Sequence, residues 1–196
     1  MRNIAPVTYF FAFLFCLAIY STDVQGLGTT SIYFDFGDGL VEEFTGTYVF
    51  KYKRLEFIKE GLSNYLIKSS GDQSPSQDYL HSKNDYTYWT LSWSKENWFV
   101  FKNVLKKGDQ WRNNLRGWKQ TYEVIGTDVT LDIPAGKFAK CAKIKISWMA
   151  HEHDMEGLQE IILFLAPHMG IVKEEHYDNG AKWHEEVLTN FKQTGK

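Results

Sequence analysis

Cysteine is scarce in this chain, with Cys16 and Cys141 the two in 196 residues. Cys16 falls in an N-terminal leader, so the remainder carries a single thiol and no intramolecular disulfide. For an exported protein, that leaves stability to the hydrophobic core. An excess of one charge sign is also missing, since 22 Lys and Arg stand against 24 Asp and Glu. A nucleic-acid partner, which calls for a basic face, is therefore not expected. There is no G-x-S-x-G elbow, no H-E-x-x-H helix and no phosphate loop. No stretch with helical periodicity exceeds two turns. Internal repeats, low-complexity tracts and a linker long enough to separate two domains are lacking as well.

What is present starts with the leader. Arg2 supplies a positive n-region, Val7 to Ile19 (VTYFFAFLFCLAI) an apolar h-region, and Val24-Gln25-Gly26 the small residues of a cleavage site. These predict a signal peptide over residues 1–26, with Ser21 as the competing cleavage position. The apolar run is shorter than the roughly twenty residues of a spanning helix, and Ser21, Thr22 and Asp23 close it. Membrane contact is thus expected only through the leader before cleavage. Phe13-Leu14-Phe15 lacks the small residues a bacterial lipoprotein peptidase accepts before Cys16. The expected location is secreted or periplasmic. Removing 26 of 196 residues leaves 170, a length that fits one β-rich domain over 27–196 with a sizeable core.

Seven Trp, eleven Tyr and fourteen Phe are present, many at period two. Tyr48, Phe50 and Tyr52 share one face of a predicted strand, and Leu55 and Phe57 continue it only if a bulge near Lys53-Arg54 adds a residue. Thr87, Trp89, Leu91 and Trp93 alternate with Tyr86, Tyr88, Thr90 and Ser92. Ala142, Ile144, Ile146 and Trp148 are expected to face inward, with Cys141, Lys143, Lys145 and Ser147 facing water. Leu158 to Ala166, Gly170 to Tyr177 and Lys182 to Phe191 complete an antiparallel meander, and Asn179-Gly180 is the strongest hairpin signal. Residues 69–78 and 106–116 read as loops. The expected fold is all-β, a curved antiparallel sheet or half-barrel.

Three segments carry a family resemblance: Gly108-Asp109-Gln110-Trp111, then Ile133-Pro134-Ala135-Gly136-Lys137-Phe138 with Cys141, then Leu165-Ala166-Pro167-His168-Met169-Gly170-Ile171-Val172-Lys173. Over residues 105–192 they resemble exported bacterial domains of unknown function, often lipoproteins, in which a P-A-G-x-F turn precedes an A-P-G-V-G-x-V-K hairpin. The resemblance implies a curved sheet related to periplasmic lipoprotein carriers, whose concave face holds apolar ligands. His168 and Met169 stand where the family has Gly and Val, so His168 is asked for a backbone conformation that favours glycine. Pro134, Gly136 and Phe138 are accounted for by turn geometry and core closure.

Chemistry is weakly marked. Five of the six histidines lie between His151 and His184. His151 and His153 share a face if extended, and His176 and His184 flank the Asn179-Gly180 turn, close enough across two strands to hold a metal if a third ligand converges. Convergence is not readable from sequence, so no metal ligand and no cofactor is assigned. Glu174 with Glu175, and Glu185 with Glu186, point to opposite faces and make no acid/base pair by themselves. Cys141 lies beside Lys143 and Lys145, where cations lower a thiol pKa, but no base can be assigned to it and no catalytic residue is named. The favoured reading is a non-catalytic exported binding protein, with a lipid or other apolar ligand held by Trp89, Trp93, Phe99 and Phe101. The alternatives are an exported metal-dependent hydrolase using the His-rich half, and a surface protein stacking Trp118 or Trp183 on glycans.

Overall fold

The computed structural model describes residues 31–47, 51–61, 64–72, 75–91, 96–152 and 155–194. The expected signal peptide, Tyr48 and Phe50 lie outside them. The first half of the chain forms β1 (Leu40–Gly46), β2 (Tyr52–Lys59), β3 (Asn64–Gly71), β4 (Ser76–Lys83), β5 (Tyr86–Leu91) and β6 (Asn97–Lys102). The second half forms β7 (Gln110–Leu115), β8 (Trp118–Ile133), β9 (Gly136–Glu152), β10 (Met155–Ala166), β11 (Gly170–Asp178) and β12 (Ala181–Gln193). All twelve belong to one antiparallel sheet in the order β6-β5-β4-β3-β2-β1-β12-β11-β10-β9-β8-β7. The all-β fold read from the sequence is what forms, curled further than a half-barrel into a nearly closed barrel.

Period-two alternation fills the interior. Leu55 and Phe57, Tyr65 and Ile67, Phe99 and Phe101, Tyr122 and Val124, Ile144 and Ile146, and Ile161 and Leu163 are all buried in one core cluster. Several expectations are corrected. β2 pairs with β1 and β3 in unbroken register, so it has no bulge at Lys53-Arg54. Instead Lys53 keeps step with Leu55 and Phe57, and Tyr52 points outward. The 69–78 loop shrinks, because β3 runs to Gly71 and β4 begins at Ser76. Within 106–116, Trp111 and Leu115 are buried while Arg112 and Asn114 are exposed, and that alternation makes β7.

Cys141 is the fourth correction. The β8–β9 ladder slips between Val129 and Leu131, and Lys140 takes a positive φ of 56°. The phase change turns Cys141 inward next to buried Ala142. Its Sγ lies 3.6 Å from the Phe138 carbonyl, and burial raises the thiol pKa, the reverse of the lysine effect expected. At the other turns the expectations hold. Asn179 and Gly180 adopt φ of 48° and 82°, a tight hairpin turn, and His168 takes 62° where the family pattern has glycine.

One end of the barrel is stoppered by the segment ahead of β1. Phe34 packs on Phe101 at 4.8 Å, and Phe36 on Phe57 at 4.6 Å and Tyr65 at 5.1 Å. Tyr65 donates its hydroxyl to the Phe36 carbonyl at 2.7 Å, and the His168 N–H donates to the Ile32 carbonyl at 2.7 Å. The tip of the β8–β9 hairpin docks on β12, where the Ala135 N–H donates to the Leu188 carbonyl and Phe138 meets Phe191.

Among the described residues no backbone ladder joins β6 to β7, the two edges of the sheet. Side chains bridge them instead. Trp111 Nε1 donates to the Val100 carbonyl at 2.7 Å and Asn113 Nδ2 to the Asn97 carbonyl at 3.1 Å. Lys102 pairs with Asp109, and Arg116 with Glu96. The Trp111 ring stacks on Tyr122 at 5.2 Å. Covered edges of this kind do not recruit further strands.

Two outcomes follow. Phe36→Ala is expected to lower unfolding free energy in urea by about 3–5 kcal/mol, the range for a buried Phe truncated to Ala; a loss under about 1 kcal/mol would mean the stopper is not part of the core. Trp111→Phe keeps most of the ring but removes the bond to Val100, at a cost of about 1 kcal/mol. In hydrogen exchange it is expected to speed β6 and β7 amides while leaving β9 and β10 unchanged; uniform acceleration would contradict a local seam.

Candidate functional site

Inside the barrel lies a cavity of about 470 Å³. Phe36, Phe57, Phe99, Ile161 and Ile171 close it toward the stoppered end, and Trp89, Trp98, Trp118, Trp148 and Trp183 line the remainder. Trp89 is held edge-on to Phe57 and Phe99, each at 6.4 Å, and its Nε1 donates to Asp78 at 3.3 Å. Its polar edge is thereby engaged and its ring serves as apolar wall. Trp118 stacks nearly parallel on Trp148, centroids 6.3 Å apart. Trp183 is 39% exposed, so the cavity reaches solvent near it.

A cluster of ionisable side chains lines the same cavity: Glu42 from β1, Lys53 from β2, Glu174 and His176 from β11, His184 and Glu186 from β12. Strand register assembles it. Glu174 pairs directly with Glu186 and His176 with His184, and the ladder shifts just beyond His176. From the Asn179-Gly180 turn, Asp178 meets Ala181 and Tyr177 meets Lys182. Regular counting would then oppose His176 to Trp183. Trp183 is the extra residue of a bulge, and it carries His184 and Glu186 onto the inner face.

The distances are close. His176 Nε2 lies 3.3 Å from Glu174 Oε2, and His184 Nε2 3.2 Å from Glu186 Oε1. The two imidazole centroids are 5.2 Å apart. His184 is 1% exposed, and its Nδ1 lies 3.3 Å from Thr47 Oγ1, which also accepts the Glu185 N–H at 3.0 Å. Lys53 Nζ donates to Glu186 Oε2. Burial pushes the Glu42 carboxyl well above the usual carboxylate range, with Lys53 only partly opposing. Burial and the neighbouring Glu174 charge raise Glu186. For Glu174 burial also pushes upward, but the hydrogen bond to His176 and the Lys53 charge prevail and its pKa falls. Two carboxylates facing each other across a ladder repel, and Lys53 is the cation that holds them together. Acids perturbed by burial and by specific partners inside a cavity make this a candidate functional site.

Of the residues expected to bind ligand, Trp89 and Phe99 are in the cavity wall. Phe101 is fully buried against Phe34 and Phe99 in the core and is not in the lining. Trp93 and His153 lie outside the described residues. His176 and His184 come together as expected, while His168 sits at the stoppered end, exposed, with Nδ1 3.2 Å from the Asp35 carbonyl. Trp118 and Trp183, considered for glycan stacking, both belong to the cavity lining. Glu42, Lys53, Glu174 and Glu186 were not singled out as site residues. The hairpin turn was the available signal for Glu174 and Glu186, since it places one member of each Glu-Glu pair on the inner face beside a histidine.

No protein-family model matches the chain, and no curated protein matches it either. Solved structures do. A candidate exported protein with a YmcC-like fold from Bacteroides fragilis superposes with a TM-score of 0.59 at 16% identity, covering 82% of this chain and 98% of its own. A candidate lipoprotein from Parabacteroides distasonis superposes at 0.57 and 15% identity, covering 83% of this chain and 99% of its own. At such identities the shared property is the fold, and the specific likeness to lipoprotein carriers stays an expectation. In architecture, this chain is a nearly closed antiparallel β-barrel, similar in fold to these two structures.

Proposed function

We propose that the protein is a non-catalytic exported binding protein whose barrel takes up an apolar molecule bearing a small polar head. Two buried polar atoms carry this reading. Glu42 Oε1 and Trp148 Nε1 have no protein hydrogen-bond partner among the described residues, and both residues line the cavity. A buried polar atom without a partner costs about 1–3 kcal/mol, a penalty that a ligand group reaching both would relieve. The rest of the wall is mainly aromatic and aliphatic. At about 470 Å³ the cavity is within the range of small-molecule sites. Export is supported by the leader grammar of residues 1–26 and by the character of the two structural neighbours.

Native mass spectrometry of protein purified from its source is the direct test, and a reproducible bound amphiphile is the expected result. Absence of any bound molecule, together with no uptake of a fluorescent apolar probe, would sink the carrier reading. Trp89→Ala is expected to weaken uptake of that probe at least about tenfold, from the loss of roughly 1.5–3 kcal/mol of apolar contact, with the circular dichroism spectrum unchanged.

Glu42 gives a pH-dependent check. Its folded pKa is raised, so the folded protein holds this proton to higher pH than the unfolded chain does. Stability from this group is therefore full below about pH 4.3, the unfolded carboxyl value, and declines as pH climbs toward the folded pKa. Glu42→Gln is expected to match the parent at about pH 4 and to be the more stable of the two at about pH 8. Equal urea midpoints at both pH values would contradict a buried, proton-retaining acid.

A further inference from the structure

We infer that His176, His184 and Glu186 form a binding site for a divalent transition-metal ion of the zinc class on the inner wall of the barrel. Each offers one ligand atom, and the three atoms lie within 4.8 Å of one another. Two imidazoles and a carboxylate are a common zinc set when a fourth position is left to water or a bound molecule. Here that fourth position faces the cavity, because all three residues line it. Zinc bonds of about 2.0–2.2 Å in a tetrahedron separate neighbouring ligand atoms by roughly 3.3–3.6 Å. His184 Nε2 and Glu186 Oε1 already stand 3.2 Å apart. Because the three ligand atoms lie within 4.8 Å, bringing in His176 asks for a shift of about an ångström to reach tetrahedral spacing.

The surrounding contacts are those that orient metal ligands. His184 Nδ1 lies against Thr47 Oγ1, which the Glu185 N–H fixes in place. When Nε2 takes the metal, the ring proton sits on Nδ1 and Thr47 Oγ1 accepts it, so the imidazole binds neutral. Glu186 divides its two oxygens, Oε2 to Lys53 and Oε1 toward His184. Glu174, beside His176 Nε2, supplies a second carboxylate close to the ion. Glu174 and Glu186 face each other across the ladder, and their mutual repulsion favours a cation at this spot. The bulge at Trp183 adds a backbone argument. Without it His184 would fall on the outer face, and bulges recur where a strand must re-aim a functional side chain.

The test uses metal alone, so its outcome is separate from that of apolar-ligand binding. Chelator-stripped protein is titrated with zinc chloride by calorimetry and with cobalt(II) by visible absorption. One ion per chain and the intense bands of four-coordinate cobalt are expected. His176→Ala and Glu186→Gln are expected to weaken zinc at least about 100-fold, and Thr47→Ala about tenfold, the range for a ligand-orienting partner. If a ligand variant fails to fold, imidazole NMR of the unmodified protein decides instead: zinc must shift His176 and His184 and leave His81 and His168 in place. Absence of stoichiometric binding, full affinity in a folded His176→Ala variant, or zinc shifts confined to other histidines would each overturn the site.

Discussion

The pairing of the last strand with the first is the constraint on which the rest of this structure depends. β1 to β6 and β7 to β12 are two successive six-stranded meanders, and β12 against β1 is the ladder that makes them one sheet. Everything distinctive about the cavity gathers around that joint. Glu42 and Lys53 arrive from the first meander, and Glu174, His176, His184 and Glu186 from the second. The chain must bring residues 149 positions apart into register before the cluster exists, as in Glu42 facing Phe191. Non-local pairing of this kind is slow to form and cooperative once formed. The ionisable groups of the two halves are therefore desolvated together, at the closing step.

The cavity combines two environments that normally repel one another. Its aromatic walls lower the local dielectric, and that raises both the cost of each charge and the strength of each pairing. The opposite shifts of Glu174 and Glu186 show the balance: the first is held down by His176 and Lys53, the second is lifted by burial and by its neighbour. Replacing Lys53 would leave two facing carboxylates with no cation of the first meander between them. The cluster thus acts as a unit, with each residue's ionisation set by the others.

Much of the fold was legible in the sequence, because alternation and turn chemistry are local. The Asn179-Gly180 hairpin and the inward Ile144 and Ile146 follow from neighbours a few positions away, and the left-handed backbone at His168 from the glycine that the family resemblance has there. The misreadings have separate physical causes, one of them a distant partner that overrules the local pattern. Alternation put Lys53 opposite Tyr52, away from the aromatic face, whereas it turns inward to acidic groups that include Glu186, 133 positions further on. β7 looked like a loop because one of its faces is polar and charged residues with a glycine precede it, although its ladder partner β8 follows directly in the chain. Cys141 depended on a slip in a ladder that no propensity announces.

The seam between β6 and β7 has a mechanical meaning. Around most of the circumference, widening the barrel means breaking a continuous ladder of backbone hydrogen bonds, a rigid hoop. Along one line it means parting side chains: the Trp111 indole from Val100, the Asn113 amide from Asn97, and the Lys102–Asp109 and Arg116–Glu96 ion pairs. The wall is least stiff there, so any outward strain imposed from within the cavity concentrates along that line and spares the β1–β12 joint that carries the ionisable cluster.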